Sequence, residues 1–346
     1  VALTITADDK TKEFGDAEPT LTVSYAGFVS GEDTTDLSGT LSISRATGEA
    51  AGTYAITASG LTATNYAIAY VDGVFTITNK SITSTDITTA SISDQTYTGQ
   101  AQTPTLEVKD GTTVLTQDTD YTLSYADNTN VGTATVTITG IGNYNGTKTV
   151  TFDITPVALT ITADDKTKEF GDADPTLTYT ITGFVNSDTE SSLDTGVSIA
   201  RAVGEDVGTY TITPSGAVDS NYDISFVTAD FTITSKLITD TDITTASISD
   251  QTYTGQAQTP TLEVQDGTTV LTKDTHYTLS YVDNINVGTA TVTITGIGNY
   301  SGDREINFTI VPKSINILIA DQEKDYGAQD PILVFTADPA LFGADA

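Results

Sequence analysis

The sequence predicts an all-β chain: a tandem array of small modules, each mostly strand, set end to end as an elongated rod. Three observations carry that prediction. Long stretches recur almost word for word at one offset, apolar and polar residues alternate with period two, and no flexible linker separates the repeats.

The repeat comes first, because a fixed period decides the architecture before any local reading. ADDKTKEFGDAEPTLT (7–22) returns as ADDKTKEFGDADPTLT (163–178), with Glu18 replaced by Asp174 and nothing else changed. A second, unrelated block, TDITTASISDQTYTGQAQTPTLEV, begins at Thr85 and again at Thr241, and VGTATVTITGIGNY begins at Val131 and again at Val287. All three pairs lie 156 residues apart. The order is therefore A–B–A–B, divided as 1–79 (A), 80–157 (B), 158–235 (A) and 236–313 (B). Residues 314–346 follow the A pattern, with Tyr326-Gly327 at the place of Phe170-Gly171 and Asp330-Pro331 at that of Asp174-Pro175. They read as an incomplete A module, either a window cut from a longer array or a module completed by strands from another chain.

Within an A module the opening VALTIT alternates like a strand. SGEDTTDLSG (30–39), with Ser30 or Asp33 as cap, is the best helix candidate, and it is short. That mixture suits a β-grasp-like sheet with one helical turn, and leaves an Ig-like sandwich as the alternative. The B module reads as an Ig-like sandwich. Its Tyr121, Leu123 and Tyr125 fall on one face, as do Val131, Ala134, Val136 and Ile138, and again Val150, Phe152 and Ile154. The threonines between them suit the other, solvated face of a pleated sheet. Asp110-Gly111 and Asn145-Gly146 lie between such runs and predict tight type I′ hairpins, since both dipeptides tolerate positive φ. Strands recurring every 8–12 residues point to sandwiches. The junctions ITNKSIT (77–83), DITPVALT (153–160), ITSKLIT (233–239) and IVPKSIN (310–316) hold no Gly/Ser linker. With strands of roughly 20 Å and loops at each end, four modules would span on the order of 150 Å.

Composition narrows the function. The 46 acidic and 14 basic side chains give a net charge of −32, which repels nucleic acid and anionic lipid surfaces. Regular alternation argues against reading that acidity as disorder. The absence of cysteine removes disulfides, thiolate catalysis and Cys-ligated zinc. No apolar run approaches the roughly 20 residues of a membrane span. Opening on VALTIT, the chain shows no signal peptide, so a secretion signal is expected to be removed or to lie outside it.

The A pattern, opening ALTITADDKTKEFGDAEPTLT and closing NYAIAYVDGVFTIT (65–78), resembles the MBG/YDG-type repeats of bacterial surface adhesins. Their hallmark is an aromatic-Gly-Asp/X step followed by Asp/Glu-Pro. Here it reads Phe14-Gly15-Asp16, Phe170-Gly171-Asp172 and Tyr326-Gly327-Ala328. Phe in place of the commoner Tyr, and Ala in the third copy, leave no basis for a catalytic role at that step. The B pattern looks like the Ig-like repeats of large bacterial cell-surface proteins. Together these resemblances imply a secreted, extracellular protein of the bacterial cell surface, whose repeats form a stalk projecting a binding tip. The implied partners are further repeats of the same long chain. The alternatives are a multivalent glycan- or protein-binding array, and a filament subunit completed by strand addition from a neighbour.

No residue set points to an enzyme. The single histidine, His276, is matched by Asp120 in the other B copy, which makes it an ordinary surface position and not a general base. GIGNYNG (140–146) lies between alternating strands and does not open a helix, so it reads as a turn and not a phosphate cradle. Paired carboxylates are unavoidable at this acidity, but a glycosidase dyad needs a cleft that small sandwiches rarely provide. Calcium, which takes six to eight oxygen ligands, is a candidate for the module junctions. Asp8 and Asp9 would face Asp86 in one A–B pair, and Asp164 and Asp165 would face Asp240 and Asp242 in the other. Plain solvated carboxylates are the commoner outcome for such residues. Tyr66, Tyr144, Tyr222 and Tyr300, each following Asn, fit core or corner positions better than sugar-stacking platforms.

Overall fold

The computed structural model describes residues 1–338, and it is all-β. Residues 339–346, the last part of the expected incomplete module, lie outside the described residues. The chain divides into two compact units. One comprises Val1–Leu159, Gly183–Gly196 and Val218–Ile224; the other comprises Thr160–Thr182, Val197–Ala217 and the chain from Ser225 onward. No helix among the described residues is long and apolar enough to cross a membrane.

The first unit begins with an A module of seven strands: β1 (Ala2–Ala7), β2 (Lys10–Glu13), β3 (Val23–Ala26), β4 (Ser38–Arg45), β5 (Gly52–Thr62), β6 (Ala67–Val71) and β7 (Gly73–Thr78). They form two sheets, ordered β3-β1-β6 and β2-β7-β5-β4. The chain leaves the first sheet for the second at Asp8-Asp9. In consequence β1 runs parallel to β6, and β2 parallel to β7. Alternation supplies the core: Leu3, Ile5 and Ala7 point inward from β1, Phe75 and Ile77 from β7, and Ile56 and Ala58 from β5. Gly73 lets β7 pass close to the end of β1, because a Cβ there would meet the Ala7 carbonyl oxygen at 2.4 Å.

This is a sandwich, and the β-grasp reading of module A does not hold. The expected helix is a three-residue 3-10 turn, Thr34–Asp36, capped by Asp33 as the sequence suggests and burying none of its residues. A turn that is polar all round has no apolar stripe with which to cover a sheet.

The B module follows with β8 (Lys80–Ser81), β9 (Ile87–Thr89), β10 (Gln95–Thr96), β11 (Val108–Asp110), β12 (Thr113–Val114), β13 (Tyr121–Ala126), β14 (Gly132–Gly140), β15 (Tyr144–Asn145) and β16 (Thr147–Thr155). Its sheets are β10-β16-β14-β13, β12-β11-β9 and the short pair β15-β8. Ala134, Val136 and Ile138 are fully buried, as the alternation predicts, whereas Val131 precedes the strand and is only half-buried. Both predicted turns differ in detail. Asp110 pairs with Thr113, so the two-residue loop is Gly111-Thr112 and only Gly111 takes positive φ, which excludes type I′. Asn145 is drawn into β15, where it pairs with Ser81, so the β14–β16 connection is a detour from Ile141 to Gly146.

The second unit repeats these parts. Its A-type sheet runs Lys166–Glu169, Ala229–Thr234, Gly208–Ser215, Ser198–Arg201, over a core that includes Ala163, Ile212, Phe231 and Ile233. Its B module sets Gly288–Gly296 between Tyr277–Val282 and Asp303–Val311. Beyond it, Asn316–Ile319 pairs with Phe335–Asp338. The register Asn316↔Asp338 reproduces Thr4↔Ala26 and Thr160↔Thr182 at the same spacing, so this tail carries the first hairpin of an A module.

Phe75 is fully buried at the centre of the first sandwich. Phe75→Ala should cost about 3–5 kcal/mol of that module's stability, as a transfer loss plus a cavity. In urea unfolding of the whole chain followed by hydrogen exchange, Ile56 and Ile77 amides should lose protection while Ile138 keeps its own.

Candidate functional site

The residues that the fold concentrates are those between modules. In the first unit, the loop from Ile141 to Gly146 is closed by a Gly140 N–H to Gly146 carbonyl bond of 3.0 Å. This presents Asn143 and Tyr144 to the preceding module. Asn143 Oδ1 accepts the Ala51 N–H at 2.8 Å, and its carbonyl accepts the Lys80 N–H at 3.0 Å. Asn79 Nδ2 donates to the Gly142 carbonyl at 2.7 Å. The Tyr144 ring meets Phe14 edge to face, with centroids 5.6 Å apart. Its hydroxyl donates to Asp110 Oδ2 at 3.1 Å, and Lys80 Nζ donates to Asp110 Oδ1 at 2.6 Å. Burial, with Asp110 beside it, pushes the Tyr144 hydroxyl pKa well up.

The second unit builds the corresponding joint around the same Asn-Tyr step, with Val207 in the place of Ala51 and Ser235 in that of Asn79. Asn299 Oδ1 accepts the Val207 N–H at 2.8 Å, and its carbonyl accepts Lys236 N–H at 3.0 Å. Tyr300 lies edge to face with Phe170 at 5.6 Å and donates to Asp266 at 3.0 Å. His276 stacks edgewise on Tyr300, and its Nδ1 accepts the Thr272 N–H at 2.9 Å, just as Asp120 accepts Thr116 N–H at 2.8 Å. The histidine thus serves as a turn cap.

A third joint, in the first unit, links B to the following A. Asn221 Oδ1 accepts the Val131 N–H at 2.9 Å, and the Asn221 carbonyl accepts Val157 N–H at 3.1 Å. Tyr222 packs edge to face on Tyr97 at 5.6 Å. Asp188 Oδ2 receives both hydroxyls, Tyr222 at 2.6 Å and Tyr97 at 3.2 Å. Desolvation, then the Asp188 contact, raises the Tyr222 hydroxyl to about 12. One device therefore serves all three joints. An Asn-Tyr step takes an N–H from the residue just before a glycine and sets its ring against an aromatic of the neighbour. Each hydrogen bond is worth about 0.5–1.5 kcal/mol net, and each ring pair a similar amount.

A buried cation clamp positions the A-side surface of the joint. Lys12 Nζ donates to Glu18 at 2.9 Å, Glu49 at 2.8 Å and the Asp16 carbonyl at 3.2 Å. Arg45 donates to Glu18 at 2.6 and 3.1 Å, to Glu49, and to the Gly48 carbonyl at 2.6 Å, while its guanidinium lies 4.9 Å from the Phe75 ring centroid. The clamp ties the Phe14-Gly15-Asp16 loop to the loop carrying Ala51. Lys168 and Arg201 repeat it around Asp174 and Glu205. Asp174 still reaches both cations, so the one change between the two sixteen-residue stretches leaves the clamp intact. Arg45, then Lys12, hold the Glu18 carboxyl at about 2; Arg201, then Lys168, do the same for Asp174. Lys324 and Asp330 form the matching ion pair in the tail. Sequence reading missed this clamp, although KTKE and the Asp/Glu-Pro step recur with it.

The structure does not gather the proposed calcium ligands. Asp8 accepts the Thr22 hydroxyl at 2.5 Å, and Asp9 accepts the Val74 N–H at 2.7 Å. Asp86 stands beside Lys80 at 3.4 Å. Val74 and Lys80 are separated by the length of β7, about 20 Å of extended chain. In the other copy, Asp164 accepts from Thr178 and Asp165 from Asp230 N–H, while Asp240 caps Thr241 and Asp242 neighbours Lys236. No group of three or more His, Cys, Asp or Glu suited to a metal occurs among the described residues. The Asn-Tyr tyrosines are buried, Tyr66 included, and present no stacking platform.

Residues 3–76 and 159–232 match the family described as MBG domain (YGX type). No curated protein matches the chain. Among solved structures, a protocadherin gammaB7 EC3-6 cis-dimer is similar over 88% of this chain and 98% of its own, at 12% identity and a TM-score of 0.24. Sidekick-1 immunoglobulin domains 1–5 are similar over 78% of this chain and 68% of their own, at 10% identity and a TM-score of 0.21. Likeness at that level fixes neither fold nor function.

Two outcomes test the site. Asn143→Ala should release the Ala51 N–H at a cost of about 1 kcal/mol. Amide exchange at Ala51 should quicken while Ile138 stays protected. The Glu18 and Asp174 carboxyls have folded pKa values below their ordinary 4.5 and 3.8, so their contribution is complete above those values and is lost as pH falls toward about 2. The stability gap between wild type and a Glu18→Gln, Asp174→Asn chain should be constant above pH 4.5 and close between there and pH 2. A gap indifferent to acid would sink the assignment.

Proposed function

With two MBG-type modules as premise, we propose that the chain is a spacer: stalk repeats of a secreted bacterial surface adhesin or extracellular filament, holding a binding tip away from the cell. The observation that carries this reading is the joint made three times from an Asn-Tyr step. What the sequence repeats is the means of fixing one module to the next. The division into 1–79, 80–157, 158–235, 236–313 and an incomplete 314–346 belongs to the proposal.

Stiffness in this reading comes from short connections closed on both sides. A single residue separates the last strand of each of the first three modules from the next strand: Asn79 after Thr78, Pro156 after Thr155, and Ser235 after Thr234. Pro156 fixes its own φ, and the Asn-Tyr step ties the flanks of the same connection. The net charge of −32 keeps neighbouring stalks apart and disfavours nucleic acid and anionic lipid as partners. Alternating A with B places near-identical modules out of direct succession, which limits misfolding between them. The chain in this reading is non-catalytic, its partners are further repeats, and calcium at Asp8, Asp9, Asp86 and their counterparts has no role in the joints.

Small-angle scattering on the whole chain, with calcium and then with chelator, tests the proposal. A thin particle on the order of 150 Å long in both conditions is the expected result. A compact particle overturns the spacer reading, and a particle long only with calcium returns the metal to the joints.

A further inference from the structure

The two A–B joints differ in covalent chemistry at one step. Asparagine precedes glycine once in the chain, at Asn145-Gly146, and the second copy has Ser301-Gly302 in its place. We propose that Asn145-Gly146 is a self-modifying site, where the side-chain amide is lost through a cyclic imide and the main chain is rerouted through the side chain. The first joint then carries a covalent timer that the second lacks. The inference rests on the joint geometry and holds whatever the chain's function.

The step needs a reachable side-chain carbonyl carbon, a backbone nitrogen free to attack it, and no bulk between them. Asn145 and Gly146 are both exposed. Among the described residues the Asn145 side chain makes no hydrogen bond and the Gly146 N–H donates none. Without a Cβ, Gly146 leaves the approach to its nitrogen open. Strand β15 is only two residues long, so the local opening that swings Cγ over that nitrogen disturbs little else. Other candidates lack this freedom. Asn143 and Asn79 precede Tyr144 and Lys80, and their side chains are engaged by Ala51 and Gly142. Asn128 precedes Thr129 and donates to the Gln102 carbonyl. Asp110-Gly111 could close the same ring, but Lys80 and Tyr144 hold its carboxylate, and Gly111 N–H is committed to the Asp86 carbonyl at 3.0 Å.

The atoms balance with water as the only co-reactant. Hydroxide takes the Gly146 amide proton and the nitrogen attacks Asn145 Cγ. The new N–Cγ bond replaces Cγ–Nδ2, and Nδ2 leaves as ammonia with a proton from water, which restores the hydroxide. Water then opens the imide. Addition at Cγ leaves aspartate. Addition at the Asn145 main-chain carbonyl carbon leaves isoaspartate, whose backbone reaches Gly146 through Cβ and Cγ and is one atom longer. That carbonyl now accepts the Ile82 N–H at 2.8 Å, and Asn145 pairs with Ser81. In isoaspartate it becomes a free carboxylate off the main chain, so the β8–β15 pairing fails, and the loop that sets Asn143 on Ala51 loosens. Ser301, whose carbonyl accepts the Ile238 N–H at 2.8 Å, has no side-chain carbonyl to cyclise.

Ageing the whole folded chain in warm, mildly alkaline buffer tests the proposal, with peptide mapping and enzymatic methylation of isoaspartate as readouts. Isoaspartate should accumulate at residue 145 at a rate proportional to hydroxide, and should be absent from the peptide containing Ser301 and from an Asn145→Ser chain. In the aged protein, amide exchange at Ala51 should quicken while that at Val207 stays unchanged, and Asn145→Ser should hold Ala51 at its starting rate. No isoaspartate at 145 in the folded chain, while the same chain in urea acquires it, would overturn the site. Equal accumulation at Asn128 would overturn it too, as damage without selection. Isoaspartate at 145 with Ala51 exchange unmoved would overturn the timer.

Discussion

Asn143 Oδ1 and the Ala51 N–H lie 2.8 Å apart across a module boundary, and much else in the molecule exists to keep them there. A hydrogen bond of that kind is modest in water. Its effect depends on both partners being held before they meet, because ordering two loops at the moment of contact would cost more than the bond returns. The detour between Gly140 and Gly146 holds the asparagine. The Lys12–Arg45 clamp holds the loop that carries Ala51, and the edge-to-face packing of Tyr144 on Phe14 adds an apolar contact across the same boundary.

The clamp is a less obvious choice for that task. Lys12 and Arg45 are nearly buried, while the carboxylates they bind are largely exposed. Water screens such pairs, so their yield in stability is small. Geometry is what they contribute. Two cations shared between two carboxylates, with carbonyls of the same loops as further acceptors, define where the Phe14 loop sits far more sharply than apolar packing on a short turn would. No buried side-chain nitrogen or oxygen among the described residues is left without a hydrogen-bond partner, so this polarity is fully matched.

Much of the architecture is legible in the letters. Exact repetition marks out the modules, and period-two alternation places Ala134, Val136 and Ile138 inward, because a strand with one buried face has no other register available. Asp33 is recognisable as a cap because its carboxylate is the natural acceptor for the N–H groups of a turn. What escapes is tertiary. Nothing local in GIGNYNG says that Asn145 will be captured by Ser81 and Asn143 by Ala51, since both partners lie far away in sequence. The aspartates are misplaced for the same reason: which end of a strand faces the next module depends on the sheet switch at Asp8-Asp9, and that switch has no sequence signal beyond the residues themselves. Tyr66, Tyr144, Tyr222 and Tyr300 are buried, as their sequence context suggests, but their shared role at module ends emerges only once the neighbours are in place.

The pairing of strands near the start and end of each module has a consequence under load. In module A, β2 runs parallel to β7, the last strand, and in module B, β10 runs parallel to β16. A pull on the two ends of the chain draws such strands past one another along their length. The bonds joining Lys10–Glu13 to Phe75–Thr78 then bear the force together and must break together. In an antiparallel hairpin pulled from its open end they would break in succession, each alone under the full force. A chain built this way yields in whole-module steps, and each module that gives way lengthens the chain while the others keep their fold.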